Sequence, residues 1–205
     1  MRLTRSYNAA GLPETLSVRR TSGGGEDDLV TAADYNARGQ LLRLAFANEV
    51  TTEREYDSAL ERLTRLFTQH DDGSTITHLQ DLEYAYDPVG NPVEITDNLS
   101  TSAYKANQII LNTRGFYYDA RYRLTRATGK KHATVTDKST NVTVSSPDPN
   151  DYDPYDVTYS YDAAGNLTRN DEYKSSGTTS LAYKTTRIDL FNGDHRYAYI
   201  WALGD

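Results

Sequence analysis

Six times along this chain a tyrosine is followed by aspartate or asparagine and, after two spacers, by glycine or a residue in its place. That recurrence limits the fold more than any other feature. The copies begin at Tyr7-Asn8, Tyr35-Asn36, Tyr56-Asp57, Tyr86-Asp87, Tyr118-Asp119 and Tyr161-Asp162. Gly11, Gly39, Gly90 and Gly165 hold the fifth place in four of them, while Leu60 and Tyr122 hold it in the other two. Repetition of one short motif implies an array of similar units rather than a single catalytic pocket.

The copy running from Thr158 to Arg169 shows what the unit is. Ahead of the motif, Thr158-Tyr159-Ser160-Tyr161 alternates aromatic and small polar residues, the period of a half-buried strand. Asp162 suits the first position of a type I turn, where its carboxylate accepts from nearby amides, and Gly165 suits the left-handed position that follows. Together they predict a three-residue hairpin loop closed by a glycine bulge. Setting Asp162 opposite Asn166 predicts that Tyr161 faces Leu167 and Tyr159 faces Arg169. The same count pairs Tyr35 with Leu41 and Tyr118 with Leu124, each Tyr–Leu contact worth about 0.2–1 kcal/mol. Tyr86 and Tyr7 meet Pro92 and Pro13, residues without an amide that belong at an edge or a non-bonded position.

Successive copies are 28, 21, 30, 32 and 43 residues apart. Such irregularity excludes a strict solenoid and fits hairpins whose distal turns vary, with turns predicted at Gly23-Gly24-Gly25-Glu26, Asp71-Asp72-Gly73-Ser74, Ser175-Ser176-Gly177 and Asn192-Gly193-Asp194. The proline-rich, acidic stretch from Ser145 to Pro154 reads as a loop carried by the array. Ser58 to Phe67 has helical apolar spacing and a capping box at Ser58 and Glu61. Its repeat context instead requires a hairpin with one extra residue and Leu63 in the paired place. The strand is the reading preferred for residues 57–69, because a lone helix would interrupt the ladder. The expected fold is therefore all-β, an array of antiparallel hairpins in a curved sheet, with residues 1–205 forming one repeat array.

Composition agrees with a thin wall. Seventeen tyrosines stand against four phenylalanines and one tryptophan, so most large apolar surface carries a hydroxyl that can reach water or backbone. A net charge of −7 argues against a nucleic-acid partner, which draws on a basic surface. With no cysteine, neither a disulfide nor a zinc-thiolate site can form. Met1-Arg2-Leu3-Thr4-Arg5 leads into Ser6-Tyr7-Asn8 without an apolar run, so no signal peptide is recognised there. Tyr197 to Leu203, the longest apolar stretch, is too short to span a membrane.

Sharper chemistry finds little support. Asp87, Asp119 and Asp162 could be glycosidase carboxylates, yet each has a local turn role that accounts for it. Asp148, Asn150, Asp151, Asp153 and Asp156 supply oxygens as a calcium loop does, but lack its glycine at the sixth place and its glutamate at the twelfth. His70, His78, His132 and His195 show no metal-ligand spacing. Arg121, Arg123, Arg126, Lys130, Lys131 and His132 interleave with Tyr117, Tyr118 and Tyr122, and strand alternation is expected to put the basic groups and the rings on opposite faces, unlike a base-stacking platform. Asn98-Leu99-Ser100, Asn141-Val142-Thr143 and Asn166-Leu167-Thr168 match the glycosylation pattern and are read as chance occurrences. No catalytic, cofactor-binding or metal residue is assigned, no cofactor is expected, and the chain is not expected to be an enzyme.

The motif resembles the YD repeats of the Rhs and teneurin family over nearly the whole chain. The block from Leu79 to Asn91, with Asp81-Leu82-Glu83-Tyr84-Ala85-Tyr86-Asp87-Pro88-Val89-Gly90-Asn91, followed by Tyr118-Asp119-Ala120-Arg121-Tyr122-Arg123-Leu124-Thr125-Arg126-Ala127-Thr128-Gly129, resembles most closely the shell-forming B and C components of insecticidal toxin complexes. The resemblance implies a long β-strip spiralling into a hollow shell that encloses a toxic polypeptide, with Tyr86, Tyr118, Tyr161, Leu124 and Leu167 structural. It implies other shell segments or subunits and a cargo polypeptide as partners, and a secreted or extracellular setting. Six repeats are too few to close such a shell, so the chain is expected to be a segment or a truncated remnant of one. Self-cleaving members use a terminal motif rich in Asp-Pro and Gly-Leu, whereas Ala202-Leu203-Gly204-Asp205 is unlike it and Asp87-Pro88 lies inside a repeat. Neither protease activity nor a toxin domain is carried over. A carbohydrate or cell-surface binding module, with tyrosine ridges stacking on glycans, is the alternative from another class.

Overall fold

A computed structural model describes the chain apart from residues 20–24, 101, 106–107, 138–141, 146–147, 149–150, 177–178, 191–196 and 204–205. The chain is all-β, and every strand pairing is antiparallel. It divides into two compact units, Met1–Ala85 with Asp97–Leu99, and Tyr86–Thr96 with Ser100–Asp205.

In the first unit the strands β1 (Arg2–Tyr7), β2 (Pro13–Arg19), β3 (Glu26–Tyr35), β4 (Leu41–Phe46), β5 (Val50–Tyr56), β6 (Leu63–Asp71) and β7 (Ile76–Tyr86) lie side by side in chain order. Residues 63–71 are strand, so the sheet prevails over the local helical pattern. The distal turn at Asp72 is present, with Gly73 at φ 82° and the Asp72 carboxylate accepting from the amides of Ser74 and Thr75 at 2.9 and 2.8 Å. A further distal turn, closed by the Glu49 amide on the Phe46 carbonyl at 3.2 Å, uses no glycine or proline.

The second unit contains β8 (Pro92–Asp97), β9 (Ala103–Lys105), β10 (Gln108–Ile110), β11 (Thr113–Tyr118), β12 (Leu124–His132), β13 (Thr134–Asp137), β14 (Val142–Ser145), β15 (Tyr152–Tyr161), β16 (Leu167–Ser176), β17 (Thr179–Leu190) and β18 (Tyr197–Leu203). Its sheet runs β8-β11-β12-β15-β16-β17-β18, while β9 with β10 and β13 with β14 form two small hairpins outside it. The Ser145–Pro154 stretch is therefore not all loop, because β15 starts at Tyr152. Pro154 stands opposite Lys130 of β12, and pairing of β15 with its other neighbour starts only at Asp156. A residue without an amide is tolerated where one side of the strand is still unpaired. The turns predicted at Gly23 and Asn192 lie outside the described residues. So does Gly177, whereas Ser175 and Ser176 belong to β16.

Packing matches the composition. Among the described residues the buried apolar side chains are Val18, Ala33, Ala45, Ile110, Ala127 and Ala133, and no large side chain is fully buried. Small residues in these places let strands and rings approach closely. The extreme case is Gly129, opposite Tyr155 across the ladder, where an added methyl would lie 2.7–2.9 Å from the Tyr155 ring and hydroxyl.

Candidate functional site

The candidate site is the hairpin tip that each copy of the repeat forms, at Asn8, Asn36 and Asp57 in the first unit and at Asp87, Asp119 and Asp162 in the second. In the Tyr161 copy the Asp162 amide donates to the Asn166 carbonyl at 2.9 Å and the Gly165 amide to the Asp162 carbonyl at 3.1 Å. Gly165 has φ 95°, the left-handed conformation anticipated for it. The same pair of bonds closes the tips at Asn8, Asn36, Asp87 and Asp119, where Gly11, Gly39, Gly90 and Tyr122 have φ of 76°, 80°, 108° and 62°. At Asp57 the extra residue widens the loop, so the Asp57 amide bonds the Arg62 carbonyl and Glu61, not Leu60, takes the left-handed place at φ 59°.

Each acidic or amide residue of the motif accepts hydrogen bonds from its own turn. The Asp162 carboxylate accepts from the Asn166 amide at 2.8 Å and the Asn166 side chain at 2.9 Å, and those contacts, the side chain first, hold its carboxyl below the usual range. Asp119 is lowered by the Arg123 amide and, beyond it, by the Arg123 guanidinium at 2.8 Å. Burial pushes the Asp87 carboxyl up, but the Asn91 side chain and the amides of Asn91, Gly90 and Val89 outweigh it. A lowered carboxyl is ionised near neutral pH, and in each of these copies its oxygens accept from groups of its own turn. Asn8 and Asn36 fill the same role with an amide oxygen, accepting from two backbone amides each.

Behind the tips the Tyr–Leu pairs form as expected, with Tyr35 opposite Leu41, Tyr118 opposite Leu124 and Tyr161 opposite Leu167. Tyr56 faces Leu63 and Tyr7 faces Pro13. One step further the register departs from expectation: Ser160 faces Arg169 and Tyr159 faces Asn170. Thr168 is the extra residue of a second bulge, and its hydroxyl donates to the Ser160 carbonyl at 3.1 Å. Thr125 does the same to Tyr117 at 3.1 Å.

Two further sets of contacts join one hairpin to the next. The hydroxyls of Tyr35, Tyr56, Tyr118 and Tyr161 donate to the carbonyls of Pro13, Leu41, Pro92 and Leu124 at 2.7, 3.1, 2.9 and 2.8 Å. The acceptor in each case opens the second arm of the preceding hairpin. The second set comes from arginines two places beyond the paired leucine. Arg65 grips the buried Asp81 through two bonds of 2.8 and 2.9 Å, and Arg126 grips Asp156 at 2.8 and 2.7 Å. The equivalent arginines of two other copies stay at home: Arg43 reaches Asp34 of its own hairpin at 3.5 Å and Arg169 reaches the buried Asp171 of its own strand at 2.8 Å. The Arg65 guanidinium is the main cause of a lowered Asp81 carboxyl.

These contacts correct the expected separation of basic groups and rings. Arg126 stands opposite Tyr117 and covers its ring at 5.2 Å, and Arg123 covers Tyr161 at 4.7 Å, so the two kinds share faces. Lys131 pairs with Glu172, and Lys130 lies over the Tyr152 ring at 4.5 Å. The cluster is committed to internal partners. His70 lies 3.7 Å from Glu49, His78 packs edge-on against Phe67 at 5.1 Å, and His132 meets the carbonyls of Ala133 and Asp148. His195, Asn141 and Asn150 lie outside the described residues. Among the described residues no three His, Asp or Glu side chains form a group able to hold a metal.

No family model matches the chain. Toxin subunit YenC1 of Yersinia entomophaga is 34% identical over 165 residues, 79% of this chain and 17% of that protein. Toxin subunit YenC2 of the same organism is 35% identical over 153 residues, 72% of this chain and 16% of that protein. A crystal structure of TcdB2-TccC3-Cdc42 superposes on 96% of the chain, and on 9% of its own, with TM-score 0.73 and 29% identity. A structure of the Photorhabdus luminescens Tc holotoxin pore does so over the same shares with TM-score 0.69 and 30% identity. The chain thus spans less than a fifth of the curated relatives it matches. It is homologous to the B and C components of Tc toxins, the Rhs-like shell proteins.

Proposed function

We propose that this chain, a single repeat array over residues 1–205, is a wall segment of a secreted toxin complex that encloses and sequesters a cargo polypeptide. The observation that carries the reading is the hydroxyl clasp repeated at Tyr35, Tyr56, Tyr118 and Tyr161, which joins each of these four hairpins to the one before it. A device of that kind builds a continuous surface by adding units. A continuous sheet separates what lies behind it from solvent and proteases, because its backbone groups are paired within the wall. The role is mechanical: the motif carboxylates are spent on turns, and the chemistry of the complex belongs to its cargo. Other shell segments or subunits are the partners, in the sheet plane, and the cargo lies against one face.

The test uses the longer natural polypeptide that carries this segment, with its cargo. Limited proteolysis should leave the cargo intact, and deleting one hairpin, residues 152–176, should expose it to cleavage at unchanged expression. Cargo cut equally fast with and without the deletion would refute the enclosure role. Glycan-array binding lost on Tyr117→Ala, an exposed ring, would support the binding-module alternative instead.

A further inference from the structure

The hairpin β13–β14 stands outside the sheet, and a two-stranded ribbon has little stability of its own. It joins the sheet through a stem, where the chain leaves β12 at Ala133 and enters β15 at Tyr152. The Ala133 amide donates to the Asp151 carbonyl at 2.8 Å, and the Asp151 amide donates to the Asp148 carbonyl at 3.1 Å. His132 closes the same knot. Its Nδ1 lies 3.2 Å from the Ala133 carbonyl oxygen on the departing chain, and its Nε2 lies 3.0 Å from the Asp148 carbonyl oxygen on the returning chain.

Both of these oxygens are acceptors only. A neutral imidazole has one N–H and one bare lone pair, so it donates to one of the two carbonyls and sets its lone pair against the other. An imidazolium donates to both. The arrangement is therefore complete only for the doubly protonated ring, and histidine as a residue type exchanges that proton between about pH 5 and pH 8. Ala133 is 3% exposed, so little water reaches its carbonyl to replace a lost bond.

The charges around the ring divide. Tyr152, opposite His132 on β15, packs edge-on against the imidazole at 5.6 Å, and Lys130 lies over the same phenol ring at 4.5 Å, a cation that opposes a second one nearby. Lys131, the next residue of β12, stands opposite Asp153 and is paired with Glu172. The returning chain brings two acids, Asp148 and Asp151, which favour a charged ring.

We propose that His132 is a pH-sensitive clasp on the stem of β13–β14. Protonated, it ties the departing and returning chains together through two carbonyls; on losing a proton it releases one of them. The fastening is complete in mild acid and is lost as pH rises through the histidine range. The insertion is thereby held in one place below neutrality and loosened above it, while β12 and β15 stay paired through their own ladder. A stem of this kind works the same way whether or not the chain is a wall segment.

The experiment takes the full chain, labelled with nitrogen-15, from pH 8 to pH 5.5 and follows ring protonation and amide exchange by NMR. Protection factors of the Ala133 and Asp151 amides should rise about tenfold on acidification, the worth of one bond from a charged donor. The rise should share its midpoint with the His132 ring titration, and the amides of β4 to β6 should show no such change. His132→Gln, whose amide group donates at every pH, should hold the stem protection constant, whereas His78→Gln should leave the rise intact. Asp148→Asn and Asp151→Asn should keep the rise and move its midpoint to lower pH, since each removes a charge that favours the cation but leaves the backbone carbonyls in place. Equal protection at pH 5.5 and pH 8, a midpoint apart from that of the ring, or a rise that survives His132→Gln would each overturn the proposal. A rise abolished by either aspartate change would overturn it in favour of a carboxylate switch. If His132→Gln does not fold, the comparison of midpoints in the unaltered chain decides.

Discussion

The Tyr161 hydroxyl donates to the Leu124 carbonyl at 2.8 Å, across 37 residues of chain. Leu124 is itself the partner of Tyr118, the tyrosine of the preceding copy. One side chain therefore serves two contacts, its ring resting against the leucine of its own hairpin and its oxygen fastening the hairpin before. Tyrosine, rather than phenylalanine, is what this position requires.

Tyr161→Phe keeps the ring and removes the fastening. The variant should lose about 1 kcal/mol of unfolding free energy, measured by urea denaturation, and exchange should quicken at the junction of β12 with β15. Unchanged stability would show that the hydroxyl contributes nothing net.

Tyr122 occupies a left-handed position at φ 62° that glycine fills in four other copies, and its ring is 60% exposed. Tyr122→Gly should therefore raise stability, by about 1 kcal/mol, because the strain outweighs the little packing given up. A drop in melting temperature would contradict this.

Gly129→Ala should cost about 1–3 kcal/mol, since the methyl meets the Tyr155 ring at under 3 Å. Combining it with Tyr155→Ala should cost less than the two single changes added together, a coupling that a double-mutant cycle reads directly. Simple additivity would show that the ring moves aside freely.

Asp81→Ala removes both bonds from the Arg65 guanidinium, and about 1.5–3 kcal/mol should be lost with them. Arg65 is 36% exposed and can recover water, which places the loss towards the lower end. Thermal melting of the single and Arg65→Met/Asp81→Ala variants checks it, with the double variant expected to recover part of the deficit.

The carboxyls of Asp81, Asp87, Asp119 and Asp162 are all held below the ordinary aspartate range by the groups bonded to them. A group whose folded value lies below its unfolded one adds stability at pH above the unfolded value and loses it as pH falls through the folded one. The melting temperature should thus be flat from about pH 7 to about pH 5 and fall steeply below about pH 4. Asp162→Asn keeps an acceptor in the turn, as Asn36 does in its copy, and should make that acid decline shallower.

What the sequence revealed about these hairpins is what local chemistry controls. Asp162, Gly165 and Asn166 interact within four residues, so the tip could be derived from residue types, and Leu63 follows once the loop at Asp57 is allowed its extra residue. The bulge at Thr168 could not, because Arg169, Asn170 and Asp171 are all polar and give no alternation from which a one-residue slip could be read. Leu41-Leu42-Arg43, Leu63-Thr64-Arg65, Leu124-Thr125-Arg126 and Leu167-Thr168-Arg169 are visible as a pattern. The partners of two of these arginines, Asp81 and Asp156, lie 16 and 30 residues further along on the following hairpin and become apparent only with the register. Pro154 argued for a loop because proline is a poor strand residue, and the one-sided pairing that admits it is a tertiary fact.

The hairpins β9–β10 and β13–β14 leave the sheet between strands that nevertheless pair, β8 with β11 and β12 with β15. Extra chain can therefore be threaded in at those two points without renumbering the rungs on either side. An epitope or fluorophore inserted at either point would report on assembly while leaving the hairpin tips at Asp119 and Asp162 undisturbed, and natural variants have the same freedom to carry new surface there.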